Sequence, residues 1–397
     1  MRSSTLLSMY DLIVIGGGAA GIFAAISAKS ASPEAKVAVL EKSAVLLSKV
    51  RVSGGGRCNV THACFDPAVL IRNYPRGSKE LRGPFHMFQP KDTVHWFESR
   101  GVALKTEADG RMFPITDSSE TIIECLLSEA KRLGVEILLR QKIEAVVKTQ
   151  DGFEVGAYRC KKLMLAMGSS LEGHKVAISL GHSVQKPVPS LFTFNVPTSP
   201  LKHLSGIAVE LAEVKILGLT QKGPLLITHF GFSGPAVLKL SAWGARKLYE
   251  KNYRAEVSIN WLPSTPVFET LSQLKKSSPQ KSLFTENPFR LPKNLWKALV
   301  SDERRLNDYS IKDLLALSQK LQNDTYQVDG KTTHKEEFVT CGGVTLKEVN
   351  FKTMESKICP GLYFAGEILD IDGITGGFNF QNAWTTGFIG GSSALSC

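Results

Sequence analysis

Apolar and polar positions change period along the chain, and the changes outline its architecture. An unbroken apolar run at residues 12–15 is bounded by glycines, as expected of a strand buried in a parallel sheet. Gly16-Gly17-Gly18-Ala19-Ala20-Gly21 follows and opens an alanine-rich helical stretch. A second apolar run, 37–40, ends in Glu41. Residues 91–100 read as a helix closed by Gly101. Ser118 or Ser119 then caps a helix carrying Ile122, Ile123, Leu126, Leu127, Ala130 and Leu133, ended by Gly134. Strands are expected over 135–139, 143–147 and 153–158, with a turn at Asp151-Gly152, and over 163–167 running into Gly168. From about 188 to 336 the pattern shifts. Prolines 187, 189, 197 and 200 mark a boundary, residues 207–217 suggest antiparallel strands, and 264–322 read as mostly helical. A strand ending in Gly366-Glu367, and a helix opened by Gly376-Gly377-Phe378-Asn379, complete the chain.

The first of these stretches carries a chemistry. Gly16–Gly21 fits G-x-G-x-x-G between a strand and a helix. The three motif glycines give the tight turn, close approach to a pyrophosphate and tight helix–strand packing. The free N–H groups of the new helix, at Gly18, Ala19 and Ala20, suit an anion. Glu41, 20 residues past Gly21, can accept the hydrogen bonds of a ribose diol. Ser53-Gly54-Gly55-Gly56-Arg57-Cys58-Asn59 is the second distinctive patch: its glycines let backbone pass against a flat or phosphorylated ligand, and Arg57 can pair with phosphate. Only one G-x-G-x-x-G is present, so a nicotinamide donor has to visit transiently.

The composition of the 397 residues, 43% hydrophobic and 21% charged, is that of an ordinary globular protein large enough for two domains. No apolar run is long enough to span a bilayer, and the first residues lack a secretory h-region. Seven scattered cysteines without C-x-x-C point to a reducing, cytoplasmic setting and away from a zinc site. Charge changes the picture more. The net charge is +11; residues 186–337 hold 21 Lys/Arg against 14 Asp/Glu, and residues 42–111 hold 12 against 6. Concentrated in this way, the basicity suggests a polyanionic partner.

The opening motif followed by SGGGRCN resembles the BaiN/YhiN-type NAD(P)/FAD-dependent oxidoreductases. Gly110-Arg111-Met112-Phe113-Pro114, Thr228–Ala236, Gly366-Glu367 and Gly376–Asn379 match further signatures in order. The chain departs from the family at Leu47-Ser48-Lys49, which stands for a Gly-Lys/Arg-Lys run, and in a shortened loop at 170–174. The resemblance implies an α/β, Rossmann-like FAD-binding domain of the glutathione-reductase type, discontinuous over 1–187 and 337–397. It encloses an inserted β-barrel plus helical domain at 188–336. It implies FAD held by the glycine turn, Glu41, Lys42, residues 53–59, Gly168, Gly366, Glu367, Asp370 and residues 376–379, with NAD(P)H as transient donor. The acid–base candidates are Cys58, Arg111, His229 and Glu107. Some members reduce a uridine of large-subunit ribosomal RNA; others act on bile-acid intermediates or aminoacetone. The expected function is therefore an NAD(P)H-driven C=C reductase acting on ribosomal RNA, with a small-molecule oxidoreductase and a non-catalytic flavin- and RNA-binding protein as alternatives. No membrane association or stable protein partner is expected.

Overall fold

The computed structural model describes residues 9–332 and 339–396. The first eight residues, read above for a leader, and the expected boundary at 336/337 lie outside the described residues. The chain forms two compact units: Met1–Val188 with Lys335–Cys397, and Pro189–His334.

In the first unit, β1 (Met9–Ile15), α1 (Ala19–Ala31) and β2 (Val37–Leu40) make a βαβ turn in which Ile13 lies opposite Ala38. Three short strands, β3 (Thr61–His62), β4 (Leu104–Thr106) and β5 (Arg111–Pro114), form a separate antiparallel sheet in the order β3-β5-β4. After α2 (Ser119–Arg132), strands β6 (Glu136–Leu138), β7 (Tyr158–Leu165) and β8 (Leu362–Phe364) extend the main sheet. Its parallel part runs β8-β7-β1-β2-β6. The order reverses between β7 and β1, which places a ligand crevice at their carboxyl ends. Helix α3 (Leu171–Ser179) follows β7, and α4 (Phe378–Ala394) follows β8.

Helix α1 is buried continuously from Ala20 to Lys29, which explains its lack of amphipathic period. It lies so close to α4 that a Cβ on Gly391 would stand 2.1 Å from the Ala24 carbonyl oxygen.

Two strand expectations need correction. The strand expected at 143–147 begins at Val146, and the one expected at 153–158 ends at Val155. The hairpin register sets both limits: Val155 pairs with Tyr158 across a tight turn, and Val146 lies opposite Val155, so both strands stop there.

The second unit is a seven-stranded antiparallel sheet with helices. Ala208–Ile216 lies between Leu219–Ile227 and Arg254–Asn260. The chain at 324–332 breaks at Gly330, pairing with Arg254–Asn260 before it and with Thr193–Asn195 after it, so the ladder closes into a barrel. Pro235–Glu250 packs on this sheet, and the expected helical region resolves into Val267–Ser277, Lys293–Val300 and Ile311–Gln322. Phe232, Trp261 and Trp296 anchor the core.

Candidate functional site

The glycine turn sits where the strand order reverses. Gly16 is packed against the end of β7, its would-be Cβ 2.3 Å from the Ala166 carbonyl oxygen, and Gly21 is packed against Gly16 itself. Gly18, at the N-cap of α1, has nothing within 4 Å of its would-be Cβ. The N–H groups of Gly18, Ala19 and Ala20 therefore open α1 beside unfilled space. Glu41 sits at the end of β2, where its Oε2 accepts from the Gly17 N–H (2.8 Å) and its Oε1 from the Ser43 N–H (2.8 Å). Lys42 turns to α3, pairing with Glu172 at 3.7 Å. Leu47 adopts the left-handed φ of 56°, at a steric cost of about 1–2 kcal/mol.

The SGGGRCN segment folds as a run of left-handed residues. After extended Ser53, Gly54, Gly55 and Gly56 have φ of 59°, 68° and 84°, a concave row of backbone N–H groups. Gly54 packs on Phe113, while Gly55 and Gly56 face open space. With its amide nitrogen turned to the Thr61 carbonyl oxygen (3.0 Å), Asn59 accepts from the Gly377 N–H (2.9 Å). It thereby clamps this loop to the start of α4.

Cys58 does not stand at this surface. It is fully buried, and burial pushes its thiol up to about 12. A group so reluctant to lose a proton, sealed from any substrate, is not an acid for catalysis.

The basic residues of this region are also less available than the sequence suggests. Arg57 lies 4.0 Å over the Phe113 ring and pairs with Glu107 (2.7 Å) and Asp117 (3.5 Å). Arg111 pairs with Glu107 (2.8 Å) and Asp109 (2.7 Å), Arg51 with Glu120, and Lys105 with Asp117. Glu107 thus bridges two arginines. Half-exposed His62, which sequence reasoning passed over, lies opposite Arg111 in the strand register. It stacks on Phe378 at 4.8 Å and places Nε2 3.1 Å from the Asp109 carbonyl oxygen. No sequence motif marks it; only the pairing of β3 with β5 brings it here.

The C-terminal segment supplies the other side. Beyond β8, Gly366 leads to Glu367, which accepts from Lys49 Nζ (2.5 Å) and the Thr340 N–H (3.2 Å). Gly168, at the end of β7, lies beside it, its would-be Cβ 3.7 Å from the Glu367 carboxylate. Asp370 is buried and accepts from the Gly342 N–H (3.0 Å). Asn379 was expected at the cofactor; its amide instead bonds both the N–H (2.8 Å) and the carbonyl (3.0 Å) of Gly373. Both side chains brace loops. Gly376 and Gly377 make the turn into α4, where Gly377 takes the N-cap and Phe378 is the first helical residue. The loop before the turn is pinned by a buried Arg76–Asp372 ion pair and an Ile374 N–H bond to the Asn73 carbonyl oxygen (2.9 Å). His229 belongs to the second unit, in an exposed turn beside Phe230.

The family described as the HI0933-like protein Rossmann domain matches residues 10–393. The chain belongs to this family. It is an FAD-dependent oxidoreductase. Curated relatives of this family member match over nearly their whole length. A ribosomal RNA dihydrouridine synthase of Escherichia coli K12 is 31% identical, with 98% of each chain covered. One of Haemophilus influenzae is 32% identical over 96% of this chain and 98% of its own. A 3-dehydro-bile acid delta(4,6)-reductase of Clostridium scindens is 28% identical over 96% and 98%. Among solved structures, the fold is shared by the 3-ketosteroid-delta4-(5alpha)-dehydrogenase of Rhodococcus jostii RHA1, with TM-score 0.53, 14% identity and coverage of 100% and 99%.

The family member's residues suit FAD. Open space at Gly18, Gly55 and Gly56 is room that a side chain would fill. The N–H rows at the start of α1 and at 54–56 suit its phosphates and carbonyls, and Glu41 suits a ribose. No described helix is long and apolar enough to cross a membrane.

Proposed function

We propose that this protein reduces a carbon–carbon double bond, and that its substrate is a uridine of 23S ribosomal RNA, converted to dihydrouridine at the expense of NAD(P)H. The observation that carries this reading is the full-length similarity to two ribosomal RNA dihydrouridine synthases, at 31% and 32% identity. It spans the inserted unit, with its 19 Lys/Arg against 12 Asp/Glu over residues 189–334, as well as the nucleotide-binding unit. Bound FAD supplies the two-electron carrier between nicotinamide and substrate. The chain's own residues do the rest. Gly18, Gly55, Gly56 and Glu41 hold the cofactor, and the first turn of α4 offers its positive end to negative charge developing there. Arg111 and Arg57, fixed by Glu107, position the substrate rim. The reduced product needs one hydride and one proton, and His62 beside Phe378 replaces Cys58 as the titratable candidate for holding that proton. His229, the other histidine among the acid–base candidates, lies exposed in the inserted unit.

A small-molecule enone is the second reading. It is favoured by the 28% full-length match to a bile-acid reductase and by the neutralised rim at Arg57, Lys105 and Arg111. One experiment separates the two: incubate protein, FAD, NADPH or NADH, and unmodified ribosomal RNA without oxygen, then measure dihydrouridine by mass spectrometry. The RNA reading expects one modified site per ribosomal RNA. Rapid turnover of a steroid enone with no dihydrouridine overturns it.

A further inference from the structure

Helix α3 begins six residues past the end of β7, at the carboxyl edge of the parallel strands, with Ser170 capping it by accepting from the Gly173 N–H (3.1 Å). Its His174 is 4% exposed. Both ring nitrogens are buried, and neither has a hydrogen-bond partner among the described residues. A buried imidazole left in this state bears the full loss of its hydration, and such groups in native proteins point to a partner that is yet to arrive. Burial holds its pKa below the usual histidine range, with the Glu367 carboxylate opposing that shift, so the ring is neutral, with one donor and one acceptor nitrogen. Glu367 is therefore close enough to act on the ring, and its carboxylate also borders Gly168 and binds Lys49.

We infer that His174 is a cofactor-binding residue whose ring hydrogen-bonds a hydroxyl of the polyol linker of FAD. A neutral ring beside a carboxylate is a poor site for a phosphate, which Glu367 repels; the diphosphate has its own N–H groups at Gly18–Ala20. A hydroxyl both donates and accepts, matching an imidazole and a carboxylate together. The Lys49 side chain, 55% exposed, is the group on Glu367 that can move aside. The inference rests on FAD binding and not on the RNA substrate, so a protein that makes no dihydrouridine leaves it standing.

The test compares flavin-stripped and FAD-loaded full-length protein carrying His174→Leu and His174→Gln. Flavin-stripped His174→Leu should melt at or above the wild-type temperature, because two unpaired polar atoms are gone. Its FAD dissociation constant should nonetheless rise roughly tenfold, the size of one lost hydrogen bond, while His174→Gln recovers most of the affinity. Nitrogen-15 spectra of the labelled histidines should show the His174 signal shifting with FAD and with FMN, which share the polyol, and not with ADP. Unchanged FAD affinity in His174→Leu, or an equal shift with ADP, overturns the inference; the first outcome makes the ring a structural group bridged by water.

Discussion

Replacing each glycine of the turn in β1–α1 by alanine should separate folding from binding within six residues. A Cβ on Gly21 would stand 1.9 Å from the Gly16 carbonyl oxygen, and one on Gly16 would stand 2.3 Å from that of Ala166. Ordinary contact begins at 3.4 Å, so for Gly21→Ala α1 has to retreat from β1 by 1.5 Å through a packed core. Overpacking of this kind costs about 1–3 kcal/mol or more, and Gly16, with φ of 113°, adds backbone strain. Gly18 differs on both counts: its φ is −85°, and nothing lies within 4 Å of its would-be Cβ. Gly18→Ala should therefore change stability by only about 0.5 kcal/mol, the scale of an N-cap preference. The added methyl lies where a diphosphate must approach, and losing one charge-assisted hydrogen bond is worth about 1.5–3 kcal/mol, or about 10- to 150-fold in Kd. Thermal unfolding of the flavin-stripped variants and fluorescence titration with FAD provide the two readouts. If Gly18→Ala melts as early as Gly21→Ala, or binds FAD like wild type, the division of labour argued here is wrong.

The buried Arg76–Asp372 pair yields a second expectation: Arg76→Met removes the countercharge of a fully buried carboxylate and should cost about 3–5 kcal/mol in urea unfolding, with much of the loss restored by adding Asp372→Leu. Glu129 is held by Arg132 and Arg100, which lower its pKa from 4.5 to about 2. Its stabilisation is thus complete above pH 4.5 and fades as pH falls toward 2; the stability gap between wild type and Glu129→Gln, followed by denaturant midpoint, should close over that window and not at alkaline pH. On the RNA reading, reversing the exposed charges of Lys276, Arg290, Lys293 and Lys312 should flatten the salt dependence of ribosomal RNA binding while the flavin spectrum is kept; unchanged binding counts against the insert as the grip. Buried Cys58 should resist maleimide until the protein unfolds, and Cys58→Ala should keep turnover within a few-fold of wild type.

What was legible in the sequence was local. Residues 12–41 announce strand, turn, helix and strand because each is encoded by neighbours: an apolar run, glycines, alanines, a terminal acid. Hidden were the partners that folding brings from afar. The basic side chains of 49–111 suggest an electropositive rim, yet Lys49 meets Glu367 and Arg76 meets Asp372 across roughly 300 residues. Arg51 meets Glu120 in α2, Arg57 meets Glu107 and Asp117, and Arg111 meets Glu107 and Asp109 in its own hairpin. Among the described residues of that stretch, Arg72, Lys79, Arg82 and Lys91 make no ion pair. The Asn379 side chain was hard to read for a related reason. An asparagine after a glycine turn can face a ligand or close the turn on itself, and only the position of Gly373 decides. His62 and His174 carry no spacing that marks them; a strand register reveals one and an unpaired ring the other.

The intimate fit of α1 against α4, with Gly391 pressed on Ala24, also sets a schedule for synthesis. A ribosome that has finished β1, α1 and β7 must make the whole inserted unit, Pro189–His334, before β8 and α4 emerge. At about 5–20 residues per second, the apolar flank of α1 waits on the order of ten seconds for its cover. The inserted unit has its own closed barrel and core and can form meanwhile. The nucleotide-binding unit cannot, so the half translated first is the half completed last, and a nascent chain halted before residue 378 presents bare alanine and phenylalanine to the cell's chaperones and proteases.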